Sequence, residues 1–229
     1  MKKIEVFKQG ILDELPLQIG VFPFGIIYGV MAIESGLTPI QAVLMSSIIF
    51  GGASQIAFVQ LISTTTPLGV IVTTVGAINS RHFLYSISMM EYLKNLSLKW
   101  RILLAYLLTD EAYAISIRRF INEPNRSFHH FHLLGTGTTL FLSWQISTLM
   151  GVLLGDDLPQ FLDLQFVIPL TFIAIIVPMI KSISTFLVVI TSAFSGLILK
   201  SLDINFWIII SGMIGVVIGL TSSKLDKKK

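Results

Sequence analysis

Eight apolar stretches, each near the length of a membrane-crossing helix, follow one another through this 229-residue chain: about Leu15–Ile33, Ile40–Ile62, Pro67–Met90, Ile102–Ile117, Leu133–Leu154, Phe166–Ile180, Ile183–Leu199 and Phe206–Ser222. A helix needs roughly 20 apolar residues to span a hydrocarbon core of about 30 Å. Only 13% of residues are charged, against about 25% in soluble domains, and the mean hydropathy is +0.81. A water-soluble fold is excluded. The expected fold is all-α, a polytopic integral membrane protein with about six to eight segments, some broken or re-entrant.

Glycine and proline set where breaks are expected: Pro23, Gly25 and Gly29 in the first stretch, Gly51 and Gly52 in the second, Gly76 in the third, Pro169 and Pro178 in the sixth. Ahead of the first stretch, Ile4, Phe7, Ile11 and Leu15 recur at helical spacing while Glu5, Lys8, Asp13 and Glu14 take the other face. Residues 1–14 are therefore expected as an interfacial helix, 15–222 as one polytopic domain and 223–229 as a basic cytoplasmic tail. The start, Met1-Lys2-Lys3 and a mixed polar run, does not resemble a cleaved signal peptide.

The net charge of +3 reflects topology, not a nucleic-acid partner. Basic residues gather at the N-terminus, in Lys94–Arg101, in Arg118–Arg126 and in the tail, whereas the connections 34–39 and 63–66 have none and 155–164 carries Asp156, Asp157 and Asp163. Eight full crossings would put Lys94–Arg101 outside, against the positive-inside rule. The arrangement that satisfies every connection makes the Gly51-Gly52 stretch re-entrant from outside and the Asp110 stretch re-entrant from inside, with both termini cytoplasmic.

Three clusters place costly polar groups inside apolar surroundings, where function is the default hypothesis. In Gly51-Gly52-Ala53-Ser54-Gln55 a glycine pair allows close approach, Ser54 is positioned to cap a half-helix, and that helix start would face an anion; a packing kink is the alternative. Asn79 and Arg81, in Asn79-Ser80-Arg81-His82, need a carboxylate, a wet cavity or a snorkelling route. Asp110 and Glu111 diverge by about 100° on a helix, so one faces a pathway while the other pairs, unless both serve a structural ion pair. These are the candidate substrate-binding (Gly51, Gly52, Ala53, Ser54, Gln55, Asn79, Arg81) and proton-coupling (Asp110, Glu111) residues. His129, His130 and His132 fall in a polar connection with no adjacent carboxylate or thiolate, so no metal site is expected.

With Pro23-Phe24-Gly25, Gly29 and Trp144-Gln145 before Gly151 and Gly155, the ordered set resembles the AzlC/YgaZ family, large subunits of two-component branched-chain amino acid exporters. The resemblance covers Leu15–Gly155. It implies a prokaryotic cell-membrane location, a small hydrophobic AzlD/YgaH-type partner subunit, and export of valine, leucine, isoleucine or analogues, with no cofactor. Absence of a P-loop points to a gradient as the energy source. A channel or receptor-like subunit is the alternative. An intramembrane enzyme is disfavoured, since the chain lacks H-E-x-x-H, G-x-S-x-G and cysteine.

Overall fold

The computed structural model describes residues 2–64, 66–123, 128–155, 180, 182–204 and 206–226. Among them are eleven α-helices: α1 (Lys3–Glu14), α2 (Gln18–Glu34), α3 (Pro39–Ile48), α4 (Gly52–Ser63), α5 (Leu68–Asn79), α6 (Arg81–Leu93), α7 (Leu98–Tyr106), α8 (Asp110–Asn122), α9 (His129–Leu154), α10 (Ile183–Ser201) and α11 (Trp207–Asp226). The sixth apolar stretch, apart from Ile180, and the acidic connection before it lie outside the described residues. Ile19, Ile40, Ile48, Leu68, Phe83 and Leu197 are all more than two thirds exposed or close to it. Apolar surface on this scale requires lipid around it. The chain is a polytopic helical membrane protein.

These helices fall into two compact units, one built mainly from α1–α4 and α6–α9, the other from most of α5 with α10 and α11. In the second unit α10 and α11 pack as a pair. Ser184 and Ser222 share a buried 2.7 Å hydrogen bond, and Gly215 lies against Ser192. Such small-residue faces let helix backbones approach where lipid supplies no hydrophobic drive.

The first unit is organised on two long parallel elements. A single 3₁₀ turn at Leu15–Leu17 joins α1 to α2, giving a helical rod from Lys3 to Glu34. Along α9 the rod makes three close approaches in the same chain order: Gly10 at His132 and Gly135, Gly25 at Ser147, Gly29 at Gly151. Pro23, expected to break the first stretch, sits inside a continuous α2. Proline removes one backbone hydrogen bond, but α9 holds the helix through the glycine contacts just beyond it. Nor does Gly76 break α5. The face of α1 that packs is also not the expected apolar one: Val6, Gly10 and Glu14 are buried, while Ile4 and Leu15 are exposed.

Two helical hairpins complete the unit, entering from opposite ends of α9. On the first, α3 descends along α9, with Ser46 bonded to Thr148, Ser47 to Gln145 and Phe50 packed edge-on against Phe141. The chain then reverses at Phe50-Gly51, and α4 climbs beside α2, Gly52 at Phe24 and Gln55 at Tyr28. On the second, Trp100 of α7 packs edge-on against His130 near the start of α9, Leu107 at the tip touches Gly137, and α8 returns with Ser116 at Thr136 and Phe120 stacked on His129. Helices of 10, 12, 9 and 13 residues are each too short to cross about 30 Å at 1.5 Å per residue. Two hairpins of short helices thus occupy the stretches that the charge distribution marked as re-entrant.

Candidate functional site

Both hairpin tips end at the middle of α9. Leu107 meets Gly137 and Phe50 meets Phe141, about 12 to 18 Å from the start of α9 and about 6 Å apart along it. Tyr106 from one tip donates a hydrogen bond to the Ser47 carbonyl of the other, and its ring packs on Phe50.

At the α3–α4 tip, Phe50 takes a left-handed backbone (φ 30°) while 4% exposed. A bulky residue there costs about 1–3 kcal/mol. A triangle of ring contacts with Tyr106 and Phe141, which also touch each other, holds it. Gly52 then fits where a side chain would not, since a Cβ there would stand 2.6 Å from the Trp144 ring and 2.9 Å from Phe24, and Gly51 is tightly placed, a Cβ there lying 3.0 Å from Ser54 Oγ and 3.1 Å from Asn79 Oδ1. Asn79 therefore reaches the glycine pair, and its Oδ1 is buried without a hydrogen-bond partner.

Ser54 does not cap α4. Its hydroxyl donates instead to the Gly51 carbonyl at 2.7 Å, and no side chain caps the helix start. The reason is geometric: the N-cap is Gly51, and Ser54 falls at the third helical position, where a hydroxyl reaches back to a carbonyl. Gln55 accepts from Trp144 Nε1 at 3.0 Å and from the Gly51 N–H at 3.4 Å, and donates to Ser46 at 3.0 Å. With Ser46 bonded to Thr148, a fully buried chain ties α4, α3 and α9 together. Gln55 thus holds the hairpin, and the α4 start at Gly52 and Ala53 carries no side-chain cap.

Arg81 opens α6 and meets Asp110, the first residue of α8, at 2.6 Å, each side chain about one third exposed (31% and 36%). The parallel run of α6 and α8 fixes this pair: Tyr85 stacks on Tyr113 at 4.6 Å, Ser88 bonds the Tyr113 hydroxyl at 2.9 Å and Tyr92 packs on Phe120. Asp110 also sits in the first turn of α8, where a carboxylate complements the helix dipole. Glu111, the next residue, also lies in the first turn of α8 and diverges from Asp110 by about 100° around the helix.

Two groupings were not anticipated. Glu14, assigned to the polar outer face of α1, is 0% exposed and takes a 3.1 Å hydrogen bond from Gln18 on one oxygen. The 14/18 spacing, one helical turn between two polar residues, was the available signal. His129, His130 and His132 do not lie in a polar connection: α9 starts at His129, and His129 and His132 are buried. His132 Nε2 is 2.9 Å from Asp13, and Ser116 bridges toward Thr136. No group of residues suited to a metal ion occurs among the described residues. A cleft of about 440 Å³ between α1 and α8 is lined by Gln9, Asp13, Pro16, Ile115, Arg118 and Glu123, among others.

No solved structure matches the chain. In sequence it is 30% identical to the inner membrane protein YgaZ of Escherichia coli over 155 residues, covering 67% of this chain and 63% of that protein, so the match spans less than two thirds of YgaZ. A membrane protein of Archaeoglobus fulgidus is 29% identical over 185 residues, 79% of each chain. The branched-chain amino acid transport protein AzlC of Bacillus subtilis is 27% identical over 111 residues, 48% of this chain and 43% of that one. The model of the family described as AzlC protein matches residues 16–158, which contain both hairpins and the side chains at their meeting point. This chain is a member of the AzlC family.

Proposed function

We infer that the chain is a transporter subunit that exports branched-chain amino acids, coupled to protons and working with a small hydrophobic membrane subunit in a prokaryotic cell membrane, both termini cytoplasmic. The observation that carries this reading is the convergence of two hairpin tips at mid-helix, where they bring together an uncapped helix start, a free amide oxygen and a carboxylate–guanidinium pair. The name of the Bacillus relative supports the substrate class. The basic connections at the α9-start end support the orientation.

A zwitterion with an apolar side chain makes three demands. Its carboxylate fits the α4 start at Gly52 and Ala53, with Arg81 near as a second partner. Its ammonium fits Asn79 Oδ1 and Asp110, which Arg81 releases when it turns to the carboxylate. The apolar side chain fits beside Phe50 and Phe58. No nucleotide-binding or hydrolytic motif gives the chain an enzymatic role.

The test is efflux of labelled valine from proteoliposomes holding the chain with its small subunit, with and without a pH gradient. Saturable efflux, faster with the gradient, is expected. Equal rates would remove proton coupling, and non-saturable flux would favour a channel.

A further inference from the structure

We propose that His132 of α9 and Asp13 of α1 form a proton-binding latch: a proton taken up from the α1–α8 cleft sits on His132 Nε2 and ties the two helices together, and its loss frees Asp13 to water. The part this plays in transport rests on the reading above; the proton site rests on the hydrogen bonds around one buried ring.

His132 is 0% exposed, and both of its ring nitrogens are engaged. Hydrogens can be counted along the contacts. Thr136 donates its single hydroxyl hydrogen to the Leu133 carbonyl at 3.0 Å, so its oxygen accepts from Ser116 at 3.1 Å. That uses the one hydrogen of Ser116, whose oxygen is left to accept from His132 Nδ1 at 3.4 Å. The proton of a neutral ring therefore lies on Nδ1, and Nε2 would offer a bare lone pair. Yet Nε2 stands 2.9 Å from Asp13 Oδ2, and an ionised carboxylate can only accept. A second ring proton turns this meeting of two acceptors into a charge-assisted hydrogen bond. It belongs on the nitrogen, because imidazole is a stronger base than a carboxylate and Asp13 is 42% exposed.

Backbone packing sets the pair in register. Gly10, three residues before Asp13, lies against the His132 carbonyl, and Gly135 lies against that of Phe7. Asp13 lines the cleft of about 440 Å³ and His132 does not, so the carboxylate is the link between water and the ring. The other charged groups around the site are accounted for. On α8, Arg119 holds Glu123 at 2.7 Å, and both line the cleft with Arg118. On α9, His129 Nε2 is 3.9 Å from Glu123. On α1, Glu14 is bonded to Gln18. From α7 the uncharged Trp100 packs at His130. With Arg119 answered by Glu123, Asp13 is the acid that answers the ring.

Loading moves one proton from cleft water, by way of Asp13, to Nε2: one N–H bond forms and Asp13 stays ionised. Unloading breaks that bond and returns the proton to water. The carboxylate, then facing a lone pair, turns to the cleft, and the side-chain tie between α1 and α9 opens.

The test uses the full chain in lipid nanodiscs with 15N-labelled histidine, reading ring-nitrogen NMR shifts across a pH titration; His132→Gln identifies the His132 signals among the four histidines. Wild type should pass from a doubly to a singly protonated His132 within the range where histidines titrate, about pH 5 to 8. Asp13→Asn keeps an acceptor and removes the charge, so the doubly protonated form should appear only at lower pH, and Asp13→Glu should restore it. In valine-loaded proteoliposomes with the small subunit, His132→Gln should lose gradient stimulation while still moving valine. A His132 ring that keeps one protonation state throughout, or that titrates identically in Asp13→Asn, overturns the proposal and leaves the transporter reading intact; full gradient stimulation in His132→Gln does the same. If wild type moves no valine, that reading fails and the titration alone decides the latch. Should His132→Gln not fold, the signal that responds to Asp13→Asn identifies the ring, and the lack of any responding signal overturns the proposal.

Discussion

At the scale of single residues, the ion pair between Arg81 and Asp110 has a definite energetic signature. Each side chain is about a third exposed, so the attraction itself is worth only ~1 kcal/mol after solvent screening. Removing one partner strands the other and costs more, about 1–3 kcal/mol. Arg81→Gln and Asp110→Asn should therefore each lower the melting temperature in detergent, and the double variant should recover most of the loss. Additive losses would mean that the two groups do not act as a pair. Trp144→Phe should likewise cost about 1 kcal/mol by deleting the hydrogen bond to Gln55, and should loosen the α3–α4 tip measured by hydrogen exchange at Gly51. What the sequence revealed at this scale was the identity of costly groups, because an arginine or aspartate amid apolar residues stands out. What it concealed was Glu14. Periodicity reads the apolar stripe as the packed face, but α1 packs through Val6 and Gly10, and only the partner helix decides that.

At the scale of elements, the hairpins give the sharpest test. The chain contains no cysteine, so single cysteines report without background. Leu37→Cys and Thr64→Cys flank the α3–α4 hairpin and should label from the same side of a sealed vesicle; Asn95→Cys and Asn122→Cys should label from the opposite side. Opposite labelling of positions 37 and 64 would falsify the re-entrant assignment. These hairpins were legible because lysine and arginine counts constrain which connections share a side. Helix continuity through Pro23 was not, since a local rule weighs one lost hydrogen bond without seeing Gly25 and Gly29 against α9. That contact carries its own prediction. A side chain on Gly151 would run into the Ile26 carbonyl, a backbone atom that cannot rotate away, so Gly151→Val should destabilise by about 1–3 kcal/mol, measurable as a lowered unfolding temperature. Gly20, with open space where a Cβ would go, should accept alanine without loss.

At the scale of the whole molecule, function depends on a bilayer that the chain must match. The rod from Lys3 to Glu34 contains 32 residues, about 48 Å of helix, whereas the hydrocarbon layer is about 30 Å thick. Either the rod leans or its first turns stand among the headgroups, and the depth of Glu14 follows whichever occurs. Membrane thickness then becomes a control knob. Longer acyl chains would draw the N-terminal turns into the oily layer; shorter chains would leave them among the headgroups. Reconstitution across a series of lipid lengths should consequently give an unfolding temperature that peaks where the hydrocarbon layer matches the rod, so that the acyl-chain length of the host membrane sets how firmly this protein is held.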